Sequence, residues 1–263
     1  MKLDYRYYDT IDSTNLEIRR LFAEGAGEGT IAYAGTQTAG RGRTGHSWKS
    51  PENVSVATSL LLTPPQDLSM SRIPRLTVLA AMAVMKTIEE EYQLDCGIKW
   101  PNDILIGGKK ICGILTEMEA EGGFARCVVV GIGVNVHQRS EDFPEEIKEM
   151  ATSLDLELEK KDLSSGGKRA SRLTVTEGIW QHFTAYYQEF IRTGGSLESI
   201  LEEYNLHLVN RDQRVRILDP KGEYEAKALG MAPDGSLEIL LDDGRIRNVD
   251  SGEVHVRGLY GYA

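Results

Sequence analysis

Apolar and polar positions alternate with different periods along the chain, and each change of period predicts a change of element. GTIAYAGTQ at 29 to 37 and VSVATSLLL at 54 to 62 are short, rich in β-branched and apolar residues and bounded by turn formers, so each predicts a strand. PRLTVLAAMAVMKTIEEEY, from Pro74 to Tyr92, is apolar on several faces and ends in a charged run, which predicts a buried helix with Pro74 in its first turn. GIKWPNDILIGGKKICGILTEMEAEGGFARCVVVGIGVNV is punctuated by Gly107-Gly108 and Glu121-Gly122-Gly123, and predicts three strands of an antiparallel meander. Residues 139 to 170 are polar and contain KKDLSSGGKR, which reads as an exposed loop. LTVTEGIWQHFTAYYQEFIRT and LESILEEYNLHL, parted by Gly194-Gly195, predict two helices. Beyond about residue 210 the texture changes to RVRILD, EYEAKALGMA, SLEILLDD, RIRNVD and EVHVRGL, five short β-like runs between Pro-Lys-Gly, Pro-Asp-Gly and Asp-Gly turns. That is the pattern of a small barrel, and it divides the chain into residues 1–210 and 211–263.

A length of 263 residues suits one large domain, or one domain with a small appendage. Apolar stretches such as VLAAMAVM at 78 to 85 are far shorter than a membrane span, and the charged start MKLDYRYYD is no signal peptide. The expectation is a cytoplasmic protein with no membrane partner. Cys96, Cys112 and Cys127 are odd in number and lie in apolar context, which predicts reduced core thiols. A net charge of −10 argues against a nucleic-acid-binding surface, because phosphate contacts need clustered Lys and Arg.

Against that acidic background, TQTAGRGRTGHSW at 36 to 48 is a local concentration of positive charge and glycine. Its Gly40, Gly42 and Gly45 match the spacing of a dinucleotide-binding turn, but such a turn must open a helix, and here a β-rich run follows. The segment reads instead as a loop between strands. Glycines let backbone N–H groups approach a ligand, Arg41 and Arg43 can both meet anionic oxygens, and Trp48 offers a flat apolar face. The plainer reading is a surface turn with solvated arginines. KWPND at 99 to 103 sets Lys99, Asn102 and Asp103 around a strand-ending proline, an arrangement found both at active sites and in ordinary turns. In GGKKICGIL, Lys110 is either an edge charge that discourages aggregation or an ammonium aimed into a pocket. In IDSTNLEIRRL, Asp12, Ser13 and Thr14 are candidate helix caps, with Thr14 and Glu17 spaced as a capping box. GIGVN ends an apolar run in Asn135. None of the five histidines has metal-ligand spacing.

Taken in order, STN, QTAGRGRTGHSW, KWPND, KKICGIL and GIGVN resemble the biotin protein ligases, from about residue 8 to 258. The resemblance implies an α+β fold, with a mixed sheet and flanking helices like that of class II aminoacyl-tRNA synthetases, followed by an SH3-like barrel. It implies that ATP and biotin give biotinyl-5′-adenylate and pyrophosphate, and that a lysine of a biotin carboxyl carrier domain then takes the biotin. Ser13, Thr14, Gln37, Gly40, Arg41, Lys110 and Gly113 match positions around biotin. Arg43, Trp48, Asn102, Asp103, Asn135 and Arg257 match the ATP and adenylate side, with Mg²⁺ accompanying the nucleotide. Lys110, Arg41 and Arg43 match the catalytic cations, which fits the chemistry: a carboxylate can be driven onto a phosphate only where cationic donors gather. Arg257 would bring the C-terminal barrel into the active site. Many relatives form homodimers through a sheet edge, and some carry an N-terminal DNA-binding domain. With STN beginning by residue 13, the expectation here is a ligase without that domain. Lipoate or octanoyl ligation shares the fold but generally lacks the GRGR-x-G-x-x-W loop. A non-catalytic biotin sensor would not need a phosphate cage.

Several residues depart from the pattern. Asn53 falls where relatives usually have glycine, Ser55 replaces a common asparagine, and Thr44 and His46 stand where other residues, often arginine at the second, are usual. The loss of a cation at position 46 is expected to weaken retention of the adenylate, so a His46→Arg variant should release it more slowly. Equal dissociation rates from the two proteins would refute the idea.

Overall fold

The computed structural model describes residues 1–49, 51–161, 169–219, 222–251 and 255–258. Seven strands make the main sheet: β1 (Asp4–Ile11), β2 (Thr30–Gln37), β3 (Ser55–Leu62), β4 (Gly97–Lys99), β5 (Asp103–Ile106), β6 (Lys109–Glu121) and β7 (Phe124–Asn135). Their order is β1-β2-β3-β7-β6-β5-β4, with β1 and β2 parallel and every other neighbouring pair antiparallel. The parallel pair needs a crossover, supplied by helix α1 (Thr14–Ala23).

β3 shows no polar-apolar alternation because it is covered on both faces, and all of its residues are buried. Leu61 packs with Ile18 and Leu21 of α1, while Leu60 and Leu62 belong to a larger core with α2 (Leu76–Tyr92) and α4 (Arg172–Arg192). The apolar character of α2 on several faces has the same origin, since it lies between the sheet and α4. Pro74 falls in a 3₁₀ turn, Met70–Arg75, just ahead of α2 rather than in its first turn. The meander has four strands, not three, because the Trp100-Pro101-Asn102 turn splits β4 from β5.

The segment expected to be an exposed loop after β7 is partly built in. Lys110 N–H donates to Met150 carbonyl at 2.8 Å and Thr152 N–H donates to Lys110 carbonyl at 3.0 Å, so this segment lies alongside the start of β6. Thr152, Ser153 and Leu154 are buried, and α3 (Leu154–Lys161) follows. Polar residues can be buried here because they are bonded, as Ser153 Oγ is to Gln138 carbonyl at 2.7 Å. Residues 162–168 of that expected loop lie outside the described residues. All three cysteines are buried free thiols.

After α5 (Glu198–His207) come β8 (Arg214–Asp219), β9 (Gly222–Met231), β10 (Leu237–Leu240), β11 (Ile246–Val249) and β12 (His255–Gly258). These five form a separate antiparallel sheet in the order β11-β10-β9-β8-β12, as the turn-rich pattern predicts. Its inner residues Val215, Ile217, Ala228 and Ile239 belong to the same core cluster as α2 and the main sheet. Trp100 fastens the two sheets: its backbone N–H donates to Asn210 Oδ1 at 2.9 Å, and its Nε1–H donates to Gly235 carbonyl, in the β9–β10 turn, at 3.0 Å. Trp100→Phe is expected to cost about 1–3 kcal/mol, from the lost bond and lost volume. Urea denaturation checks it, and an unchanged midpoint would show that the indole does not couple the sheets.

Candidate functional site

A cavity of about 670 Å³ opens between the ends of β2, β5, β6 and β7 and the loop that follows β2. One end of it is a compact set of hydroxyl and amide groups. Ser13 occupies the N-cap of α1, but its side chain makes no capping bond. Nor does the Thr14–Glu17 capping box form: Thr14 N–H and Oγ1–H both donate to Gln37 Oε1, at 2.8 and 3.1 Å, and Glu17 pairs with Arg20 instead. Ser59 Oγ lies 2.7 Å from Thr14 Oγ1 and donates to Asn15 Oδ1 at 2.6 Å. Asp12 takes both terminal nitrogens of Arg20 and also accepts Ser13 N–H, which depresses its carboxyl to about 2. The turn before α1 is thus fixed from outside while Ser13, Thr14 and Gln37 line the cavity.

The loop after β2 folds back on itself. Trp48 N–H donates to Gly40 carbonyl at 2.9 Å, Gly42 N–H donates to His46 carbonyl at 2.7 Å, and Arg41 bridges to Ser47. Gly40 is required at that crossing, since a Cβ there would stand 2.4 Å from Trp48 carbonyl. The Trp48 indole then lies on Gly113 and Gly133, which face each other on β6 and β7. A Cβ on Gly133 would meet the ring at 2.6 Å and one on Gly113 at 3.1 Å, so both strands are stripped of side chains where the indole rests.

Among the cavity-lining residues, Arg41, Arg43, Lys99 and Lys110 are cationic and Asp103 is the single carboxylate. Lys110 Nζ is 2.6 Å from Asp103 Oδ1. β6 is an interior strand, so the edge-charge reading of Lys110 does not apply. Arg43 donates to Asn102 Oδ1 at 2.8 Å and also to the carbonyl of Ser251, in the second sheet's connections. Burial pulls the Arg43 guanidinium below its ordinary range, opposed by the Asp103 charge. Arg41 turns the other way, to Glu117 at 3.2 Å. Lys99 and Asp103 are buried.

Two residues sit apart from this convergence. Asn135 does not line the cavity; it donates to Thr152 carbonyl and accepts from Gln138 Nε2, each at 2.9 Å. The side chain of Arg257 lies outside the described residues, although its neighbour Val256 on β12 is buried against the cavity. Sequence reading missed Ser59, which braces Thr14 and Asn15 from behind the cavity wall, and the lining residues Ile147 and Met150. Ser59 sits in an apolar strand, where a lone serine gives no signal, and the other two are isolated apolar residues in a polar stretch with no periodicity.

Residues 7–135 match the biotin/lipoate A/B protein ligase family, and residues 212–257 match the biotin protein ligase C terminal domain. The bifunctional ligase/repressor BirA of Bacillus subtilis is 38% identical over 250 residues, which is 95% of this chain and 73% of that protein. The chain belongs to the biotin/lipoate A/B protein ligase family. A biotin–[acetyl-CoA-carboxylase] ligase of Mycobacterium tuberculosis is 28% identical, covering 93% of this chain and 86% of that one. Among solved structures, the biotin protein ligase from Aquifex aeolicus in complex with biotin and ATP superposes with a TM-score of 0.80 at 27% identity, over 97% of this chain and 99% of that chain. The α+β architecture with a small C-terminal antiparallel sheet is therefore this family's fold.

The glycine floor makes a specific demand. Gly133→Ala should lift the Trp48 indole from the sheet, giving red-shifted tryptophan emission and stronger acrylamide quenching, both absent in a Trp48→Phe background. Emission unaltered by Gly133→Ala would mean that the ring does not rest there.

Proposed function

We propose that this protein activates biotin with ATP to biotinyl-5′-AMP and transfers the biotin to a lysine of a biotin carboxyl carrier domain. One observation carries the reading: the donor-and-acceptor set of Thr14, Asn15 and Gln37, braced from β3 by Ser59, shares one cavity with the Lys110 ammonium and the loop arginines. A ureido ring presents both donors and acceptors and fits the first group, whereas a dithiolane ring offers those polar groups no hydrogen-bond partner. The relatives named as biotin ligases, and the match to a biotin ligase C-terminal domain, favour biotin over lipoate in the same way.

In the first step a carboxylate oxygen of biotin attacks the α-phosphorus of ATP, the bond to the β-phosphate oxygen breaks, and pyrophosphate leaves. Two anions must meet, so the barrier is dominated by charge repulsion, and fixed cations at the meeting point lower it. Lys110 is placed to bridge the carboxylate and α-phosphate, with Arg43 on the nucleotide side. Ser13, Thr14, Gln37, Gly40, Arg41 and Gly113 surround the biotin, with Gly40 acting through the loop fold. Trp48, Asn102 and Asp103 border the adenylate, and Arg257, a residue of β12, is assigned to it on the family resemblance alone. Asn135 serves the nucleotide side indirectly, by holding the Met150–Thr152 stretch beside Lys110. In the second step the carrier lysine's neutral amine attacks the acyl carbon, AMP departs and a proton is lost, leaving an amide.

Mg²⁺ belongs in the first step as the companion of the ATP phosphates. A single lining carboxylate, already 2.6 Å from Lys110, suits an ion that keeps phosphate and water ligands rather than a resident metal. When bound, the ion supplies charge neutralisation on the phosphates. A cytoplasmic setting accords with the three free thiols, and the net charge of −10 argues against a duplex partner.

Exchange of labelled pyrophosphate into ATP, run with biotin, with lipoate and with neither, tests the assignment. Biotin-dependent exchange is expected, and Lys110→Ala should lower it by about 10²–10³-fold. Exchange with lipoate only, or none, would overturn the proposal.

A further inference from the structure

A carboxylate with no part in the reaction above joins the two halves of the biotin pocket. Glu117 stands on β6, its side chain only 15% exposed, and does not line the cavity. Its Oε2 accepts Asn15 Nδ2–H at 2.8 Å, and its Oε1 lies 3.2 Å from Arg41 and 3.4 Å from Arg19. Asn15 is itself immobilised. Its Oδ1 accepts Ser59 Oγ–H at 2.6 Å and fills the space over Gly131, where a Cβ would stand 2.0 Å from that oxygen. From Ser59 the contacts continue to Thr14 and Gln37. An unbroken polar chain therefore runs from the ureido-matching groups, through Asn15 and Glu117, to the first arginine of the GRGR loop.

We infer that Glu117 is a positioning residue: it fastens Arg41, and with it the loop from Gly40 to Trp48, in register with the Thr14–Gln37–Ser59 group. This rests on the biotin-activating reading. The Arg41 charge is spent on Glu117, while its backbone, bridged to Ser47, forms the pocket wall. Lys110 and Arg43 are then the cations that face the reacting oxygens. Holding the loop before biotin arrives removes part of the ordering cost from binding, so the effect belongs to biotin capture rather than to the chemical step. A competing arrangement has Arg41 leave Glu117 for the phosphates once ATP binds. Removing the carboxylate would then release the arginine and improve ATP binding.

Biotin-dependent pyrophosphate exchange separates the two, using Glu117→Gln, Arg41→Gln, the double variant and Arg19→Gln. Arg19 shares the carboxylate but lies on α1 away from the cavity. Each of the first two should raise the biotin KM about fivefold, the double variant no further, with kcat within about twofold and ATP KM unchanged. Arg19→Gln should behave as the unsubstituted protein. Trypsin should cut the loop of Glu117→Gln faster than that of the unsubstituted protein in the absence of biotin. An unchanged biotin KM in Glu117→Gln, additive effects in the double variant, or a lowered ATP KM would overturn the inference. Should Glu117→Gln melt early, Arg41→Gln carries the test, because it leaves Glu117 bound to Asn15 and Arg19. Absence of biotin-dependent exchange in the unsubstituted protein overturns the proposed function itself, and normal exchange there with no Glu117 effect overturns the inference alone.

Discussion

Mutual repulsion among cations in a half-closed cavity is the constraint around which this site is arranged. Arg41, Arg43, Lys99 and Lys110 line a space with a single carboxylate, and the low effective dielectric there strengthens every unbalanced charge. Three of them have acceptors fixed by different parts of the fold. Lys110 has Asp103 from the neighbouring strand, Arg43 has Asn102 and the Ser251 carbonyl, and Arg41 has Glu117. Asn102 and Asp103 are consecutive, so Arg43 and Lys110 are held at one turn, while Arg41 is drawn to a carboxylate outside the cavity lining. The fields they produce are therefore set by the strands and turns before any anion enters, which is the condition for electrostatic preorganisation.

The same strands decide where a flat ring fits. Gly113 and Gly133 are opposite residues of β6 and β7, and a side chain on either would push the Trp48 indole away. Gly131, one strand position pair along, leaves its space to Asn15 instead. The glycines in KKICGIL and GIGVN are thus places where another group must lie close to the sheet, not points of flexibility. None of the three adopts positive φ, which removes the usual conformational reason for glycine and leaves proximity as the cause.

Elements with a strong local pattern were legible from the chain. β2, β3, α4, α5 and the five strands of the second sheet follow the apolar periodicity and the turn residues between them, because both features act over a few residues. The site was legible as an ordered set of motifs rather than as chemistry. Thr14 and Glu17 have capping-box spacing, yet Thr14 turns to Gln37, a residue far along the chain that no local rule could pair with it. The stretch after β7 reads as solvent-facing because its composition is polar, but its hydroxyls and Asn135 satisfy buried carbonyls. Glu117 gave no signal, since an acidic residue in a long strand next to solvent-facing neighbours is ordinary, and its partners lie on α1 and the loop. What escaped the sequence is consistently polar pairing across elements, where the identity of the partner depends on register.

The second sheet is more than an appended module, for the same electrostatic reason. Arg43 requires an acceptor that burial makes expensive to omit, and half of that need is met by the Ser251 carbonyl rather than by the main sheet. Trp100, immediately before the Pro-Asn-Asp turn that supplies Asn102 and Asp103, is anchored to Gly235 in the β9–β10 turn and to Asn210 just ahead of β8. Val256 on β12 closes part of the cavity wall. Displacing this sheet would unpair a buried guanidinium, loosen the turn that carries its other acceptor and open the wall, all at once. Because those losses share residues, they do not add independently. The position of the second sheet and the electrostatic state of the cavity are consequently one coupled variable, set by Arg43 and Trp100 together.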